Sequence, residues 1–203
     1  MTENTDTNIL VEKLFGDATE YWKYLGRFIE IFATTELWIF YLLQDQAGLT
    51  LPLAKALTSF DRTDAIVETI RKVWAVRPPA EHVFKEFDSV LAQMKHINDA
   101  RNIVIHYASR RTEDGDRMST TQARAATPQQ IRELRVSPEM LSKMTSDLLK
   151  IASHCSSFLL EPEKTLEERT KEDPYLGHAF LYKHEPIQPH LVKRPKNEDR
   201  RKD

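Results

Sequence analysis

An all-α fold, a four-to-five-helix bundle, is the class this sequence predicts, and three observations carry that expectation. Long stretches space their apolar residues at the 3.6-residue period of a helix rather than in strand-like alternation. Start and stop signals for helices separate those stretches. Only five glycines occur in 203 residues, and β-branched runs are scarce, which argues against a sandwich or barrel of many short strands.

The first helix is expected from about Asp17 to Ala47, with Leu25, Phe28, Ile29, Phe32, Ile39 and Leu43 on one face. Trp22, Trp38 and Phe40 add apolar surface elsewhere, so burial on more than one side is expected. Gly48 ends it. Thr50-Leu51-Pro52 reads as the start of a short helix reaching about Ser59. Asp61 and Asp64 are candidate caps for the next, which carries Ile66, Val67, Ile70, Val73 and Trp74 until Pro78-Pro79 stops it. A long helix follows from about Ala80 to Tyr107, its stripe running Val83, Phe84, Phe87, Val90, Leu91, Met94, Ile97, Val104 and Ile105. Periodicity then lapses from Arg111 to Thr127, where Glu113-Asp114-Gly115-Asp116 predicts a loop or a small β-hairpin. Ser137-Pro138-Glu139 opens the last helix, whose apolar face is Leu141, Met144, Leu148, Ile151, Cys155, Phe158 and Leu159. The bundle is thus assigned to residues 1–161 and an extended C-terminal tail to 162–203. That tail is Pro-rich and charged and is expected to be largely extended or disordered. Its middle, Pro174 to Val192, is apolar enough to be expected to dock on the bundle or on a partner.

Composition narrows the function classes. A net charge of −2 gives no global field that would draw the chain to nucleic acid or membrane. The single cysteine, Cys155, permits no internal disulfide and is read as packing. An acidic, polar N-terminus unlike a targeting peptide, and apolar runs too short to span a bilayer, predict a cytoplasmic protein with no membrane partner. No cofactor is expected, because the sequence lacks a Gly-rich phosphate loop. No metal is expected either: there is no His-Glu-x-x-His helix, and His178, His184 and His190 recur at a spacing that suits neither helix nor strand.

One stretch gathers reactive groups. Projected on the long helix, Arg101 falls on the line through Val83, Met94 and Ile97, in the middle of the apolar stripe. Glu36 falls similarly on the first helix, between Phe32 and Ile39, so the two are expected to form a buried pair that anchors Arg101. Asn102 and His106 share a face beside that stripe, with Lys95 and Asp99 extending a polar ridge. Histidine moves protons near neutral pH and arginine neutralises phosphate charge, so Arg101, Asn102 and His106 are the candidate catalytic set for metal-free phosphoryl chemistry. Lys95, Arg110, Arg111 and Arg117, with Arg124 nearby, are the candidate RNA contacts.

Arg101-Asn102-Ile103-Val104-Ile105-His106 resembles the R-x(4–6)-H motif of the HEPN superfamily, set late on a long bundle helix with Asn after the Arg. The resemblance covers about Asp17 to Leu160. It implies a HEPN-like bundle, often a homodimer that brings two motifs to one cleft. Many members are metal-independent endoribonucleases, toxins and antiviral effectors among them, and this implies RNA as substrate and an antitoxin or regulatory protein as a further partner. Other members are non-catalytic modules that bind nucleotide, RNA or protein. One subgroup carries Tyr two residues after the His; here Tyr107 follows directly and Ala108 occupies that position. A second match, Arg77 to His82, is interrupted by Pro78-Pro79. A helical interaction protein outside this family, using its tail to dock a partner, is the competing reading.

Overall fold

The computed structural model describes residues 19–58, 62–107, 109–113, 116–122, 127 and 131–183. Helix α1 spans Thr19–Ala47, α2 Leu51–Thr58, α3 Thr63–Val76 and α4 Glu81–His106. Three short strands follow, β1 Ser109–Arg111, β2 Arg117–Thr120 and β3 Glu133–Val136. Helix α5 covers Pro138–Leu160 and α6 Leu166–Glu172, and a 3₁₀ turn occupies Pro174–Gly177. The protein is therefore mostly helical, as its periodicity predicts, with one small antiparallel sheet.

Local chemistry sets the boundaries. Gly48, with φ of 65°, closes α1 in the left-handed region and lets Leu49 N–H reach the Gln44 carbonyl at 2.9 Å. Pro78-Pro79 falls between α3 and α4, so Arg77 and His82 do not share a continuous helix. Ser137 caps α5, its hydroxyl accepting from Met140 N–H at 3.0 Å, with Pro138 in the first turn. Helix α3 starts differently. Its N-cap is Arg62, which supplies no side-chain cap; Asp64 lies in the first turn, and Asp61 is outside the described residues.

The core lies where α1 packs along α5 and α3, with α4 closing against α3 and α5. Phe28, Phe32, Ile39 and Leu43 of α1 are buried, as are Val83, Phe87, Val90, Leu91, Met94, Ile97 and Val104 of α4. From α5 come Leu141, Met144, Leu148, Ile151, Cys155 and Phe158. Thr35 stitches α1 to α5 by donating to the Ile31 carbonyl at 2.8 Å and the Leu148 carbonyl at 3.1 Å. Burial is narrower than the apolar pattern suggests. Trp22, Ile29, Phe84 and Ile105 are exposed, because α1 and α4 each bury one stripe rather than their whole apolar circumference.

The excursion is a three-stranded sheet in the order β1-β2-β3. Ser109 pairs with Ser119 and Arg111 with Arg117 across the expected hairpin, and Met118 pairs with Arg135 on the far side. The third strand was not expected. Its Leu134 and Val136 are buried while Arg135 is exposed, a period of two in a segment too short to stand out.

The described residues beyond Glu161, which end at Lys183, depart furthest from expectation. Instead of an extended tail, Thr165 and Glu168 form a capping box that starts α6. Arg169 of that helix is 2% exposed and grips Glu86 of α4 with both terminal nitrogens. Its Nη1 also donates to Ser157 Oγ at 3.0 Å, and His154 Nδ1 lies 2.8 Å from Glu86 Oε1. Further on, the Tyr175 hydroxyl donates to the Ser146 carbonyl at 2.8 Å. Buried Asp147 accepts from the backbone N–H groups of Leu181 and Tyr182, each at 2.8 Å, and from Gln93 Nε2 at 2.8 Å. The expected docking is thus seen for 174–183, and the remainder of the stretch to Val192 lies outside the described residues.

Candidate active site

The last turns of α4 carry the motif. Asn98, Asn102 and His106 are spaced by four and form a ridge along one face, with Arg101 beside them. Helix α4 ends at His106 because Tyr107 takes extended backbone and leads toward β1. Facing the ridge are Glu36 from the middle of α1 and Arg62 and Thr63 from the start of α3. With Tyr107 these residues line a cavity of ≈ 660 Å³.

Arg101 is half-buried, its guanidinium carbon 5.1 Å from the centroid of the Phe32 ring. Nη1 donates to Asn102 Oδ1 at 3.1 Å and lies 3.5 Å from His106 Nε2. With Nε2 facing a donor, the proton of a neutral His106 imidazole belongs on Nδ1. Arg101 Nε is buried without a hydrogen-bond partner, and Nη2 makes no hydrogen bond to the described residues. Part of the donor set is therefore uncommitted. His106 is exposed at the cavity mouth, so the site joins a fixed cation to an accessible proton carrier.

Glu36 is in the cavity but does not pair with Arg101, contrary to expectation. Its Oε1 accepts the Thr63 hydroxyl, tying α1 to the start of α3. The Phe32 face, one turn earlier on α1, and the Asn102 and His106 acceptors already hold the guanidinium. Glu36 is left to the nearer hydroxyl.

The expected RNA contacts do not join the cavity. Arg110 and Arg111 are exposed on β1, outside the lining. Arg117 is 3% exposed and stacks over Tyr21 at 5.1 Å and Trp22 at 4.9 Å. It is a structural cation joining β2 to α1, because the alternation of β2 turns it, with Ser119, to the buried face while Met118 and Thr120 are only partly buried. Lys95, half-exposed, pairs with Glu68 of α3 at 3.4 Å. Arg124 lies outside the described residues.

Three residues that the sequence reasoning missed, Arg62, Thr63 and Asn98, complete the polar lining. Asn98 carried a signal, since it precedes Asn102 by one helical turn on the same ridge. Arg62 follows three residues outside the described set and carries no periodic pattern of its own.

The other groups suited to chemistry are engaged elsewhere. Burial, with the Glu86 charge nearby, pushes the Cys155 thiol far above its ordinary value, which suits a packing residue and not a nucleophile. A second cavity of ≈ 550 Å³ lies between the sheet, the start of α5 and Tyr182. Four of its charges are paired within it, Arg135 with Asp116 and Lys143 with Glu139, both at 2.6 Å, and Lys183 is exposed in its lining. Among the described residues no three His, Cys, Asp or Glu side chains are grouped to hold a metal ion. No described helix is long and apolar enough to cross a membrane.

Comparisons with family models, with curated proteins and with solved structures found no match to this chain.

Proposed function

We propose that the protein is a HEPN-type, metal-independent endoribonuclease whose site is Arg101, Asn102 and His106. The observation that carries this reading is the meeting of Arg101 and His106, 3.5 Å apart, in one open cavity. We assign Arg101 to charge and His106 to proton transfer, which leaves the nucleophile to the substrate. The set therefore suits a substrate that brings its own, and RNA does so with its 2′-hydroxyl.

In the proposed reaction the 2′-oxygen attacks the adjacent phosphorus as its proton passes to a base. The P–O5′ bond breaks, and the leaving 5′-oxygen takes up a proton. The products are a 2′,3′-cyclic phosphate and a 5′-hydroxyl end. His106 serves one of the two proton transfers, and Arg101 neutralises the charge that builds on the non-bridging oxygens. Asn102 holds Arg101 in place through its Oδ1. Among the described residues one chain offers a single histidine here. A homodimer, as the HEPN resemblance implies, would bring a second to serve the other transfer.

A second reading is favoured by the same hydrogen bonds. Arg101 Nη1 bridges Asn102 Oδ1 and His106 Nε2, as it would in a motif kept for architecture in a non-catalytic binding module. Cleavage of a mixed-sequence RNA by the wild type and by H106A separates the two. General acid–base catalysis contributes about 10²–10⁴ in rate, so H106A should lose that factor while melting like the wild type. Equal cleavage by H106A contradicts the site. An RNA that is bound and never cut favours the module.

A further inference from the structure

The cavity holds more recognition chemistry than a single phosphodiester requires. Arg62 is exposed at its edge and makes no side-chain hydrogen bond or ion pair with the described residues. As the N-cap of α3 it leaves the first-turn N–H groups without a side-chain cap, and the Thr63 hydroxyl is given to Glu36 instead. Among the described residues, a fourteen-residue helix therefore presents uncapped first-turn donors and the positive end of its dipole beside a guanidinium with no partner. Asp64, the acid in that first turn, lies outside the cavity lining.

The independent sign of a ligand is Asn98. It is 3% exposed and lines the cavity, yet its amide makes no hydrogen bond to the described residues. Its polar atoms are not among the fully buried unsatisfied ones, so what little of Asn98 is exposed lies on the cavity wall, where its amide can hydrogen-bond a group that enters. Among the described residues the one carboxylate in the lining, Glu36, is outnumbered by the guanidinium groups of Arg62 and Arg101 and is already tied to Thr63.

We propose that Arg62 and the N-terminus of α3 form a second phosphate subsite beside Arg101 and His106. The cavity then takes an RNA segment with two consecutive phosphates and holds the nucleoside between them against the Asn98 amide. This inference rests on the RNA reading of the site and adds to it a minimal ligand and two recognition residues.

The test is calorimetric titration with mixed-sequence 2′-O-methyl dinucleotides, which do not undergo the cleavage reaction. They are prepared without a terminal phosphate, with a 5′-phosphate and with a 3′-phosphate. In the wild type one of the two terminal phosphates should tighten binding about tenfold or more, the worth of a charge-assisted hydrogen-bond set. R62Q should reduce that ratio to about one, whereas H106A should keep it. N98L should weaken every dinucleotide and melt no lower than the wild type, because it removes an amide that has no partner among the described residues. A ratio of one in the wild type, or a ratio unchanged in R62Q, overturns the subsite. A marked fall in melting temperature for N98L makes Asn98 structural and overturns its recognition role. The parent reading fails separately. RNA cleaved by the wild type with no phosphate ratio leaves the ribonuclease standing and removes the subsite. A clear ratio without cleavage of any RNA does the reverse, and no binding of any dinucleotide removes both.

Discussion

Replacing Arg169 by Met should be among the most damaging single changes in the molecule, although the residue lies beyond the bundle and far from the motif. Its guanidinium reaches Glu86 through both terminal nitrogens, and Nη1 also reaches Ser157 Oγ at 3.0 Å. Its carbon lies 5.8 Å from the Phe158 ring. Both charged side chains are about 1% exposed. Methionine fills much of the same volume but leaves the Glu86 carboxylate buried with only His154 beside it. Removing one partner of such a pair costs about 3–5 kcal/mol. A chain of this size loses about 2–4 °C per kcal/mol, so R169M should melt about 6–20 °C below the wild type. The double variant E86L/R169M removes both charges and should recover much of that loss, since an apolar replacement of a whole buried pair is often close to neutral. Thermal unfolding followed by circular dichroism, completed as a double-mutant cycle, measures both. An R169M melt within 2 °C of wild type (about 1 kcal/mol or less), or a double variant at the sum of its singles, would refute the reasoning.

E36A should cost only about 1–2 kcal/mol, the loss of a hydrogen bond from Thr63, because Glu36 does not neutralise a buried arginine. Urea unfolding of E36A and R101M checks this, and a loss near 4 kcal/mol in either would restore a buried Glu36–Arg101 pair. Burial raises the Asp147 carboxyl above its ordinary value, against the pull of the Leu181, Tyr182 and Gln93 hydrogen bonds and of Lys150. With the folded pKa the higher one, the folded state holds the proton more tightly, so this stabilisation is full at low pH and lost as pH rises through the raised value. Wild type should therefore lose stability relative to the non-titrating D147N as pH rises through and just above the usual carboxylate range. A difference that stays flat or grows in favour of wild type across that range would show the carboxyl is not raised.

The local grammar of this chain was readable where a feature depends on neighbours in sequence. Gly48, Pro78-Pro79 and Ser137-Pro138 end or begin helices through constraints that act within a turn, and the structure places those boundaries there. The clustering of Arg101, Asn102 and His106 was readable for the same reason, being a property of one helix. Partner choice across the fold was not. The buried arginine pair was expected between Arg101 and Glu36 but occurs between Arg169 and Glu86, which are 83 residues apart. Nothing in the periodicity of either segment pairs them. Arg117 misled because its charge suggested solvent or RNA, whereas the alternation of a four-residue strand turns it onto Tyr21 and Trp22. The tail held a signal that composition hid: Thr165-Leu166-Glu167-Glu168 spells a capping box within a charged, proline-bearing stretch.

The most direct measurement of the central claim is the chemistry of the ends left on cut RNA. Wild-type protein in excess EDTA should leave a 2′,3′-cyclic phosphate on one fragment and a 5′-hydroxyl on the other. It should spare an RNA bearing a single 2′-O-methyl at the scissile position, and H106A should slow the same cut by about 10²–10⁴. Products with a 5′-phosphate and a 3′-hydroxyl, or cleavage that tolerates the 2′-O-methyl, would contradict a mechanism in which Arg101 and His106 act on a nucleophile supplied by the RNA.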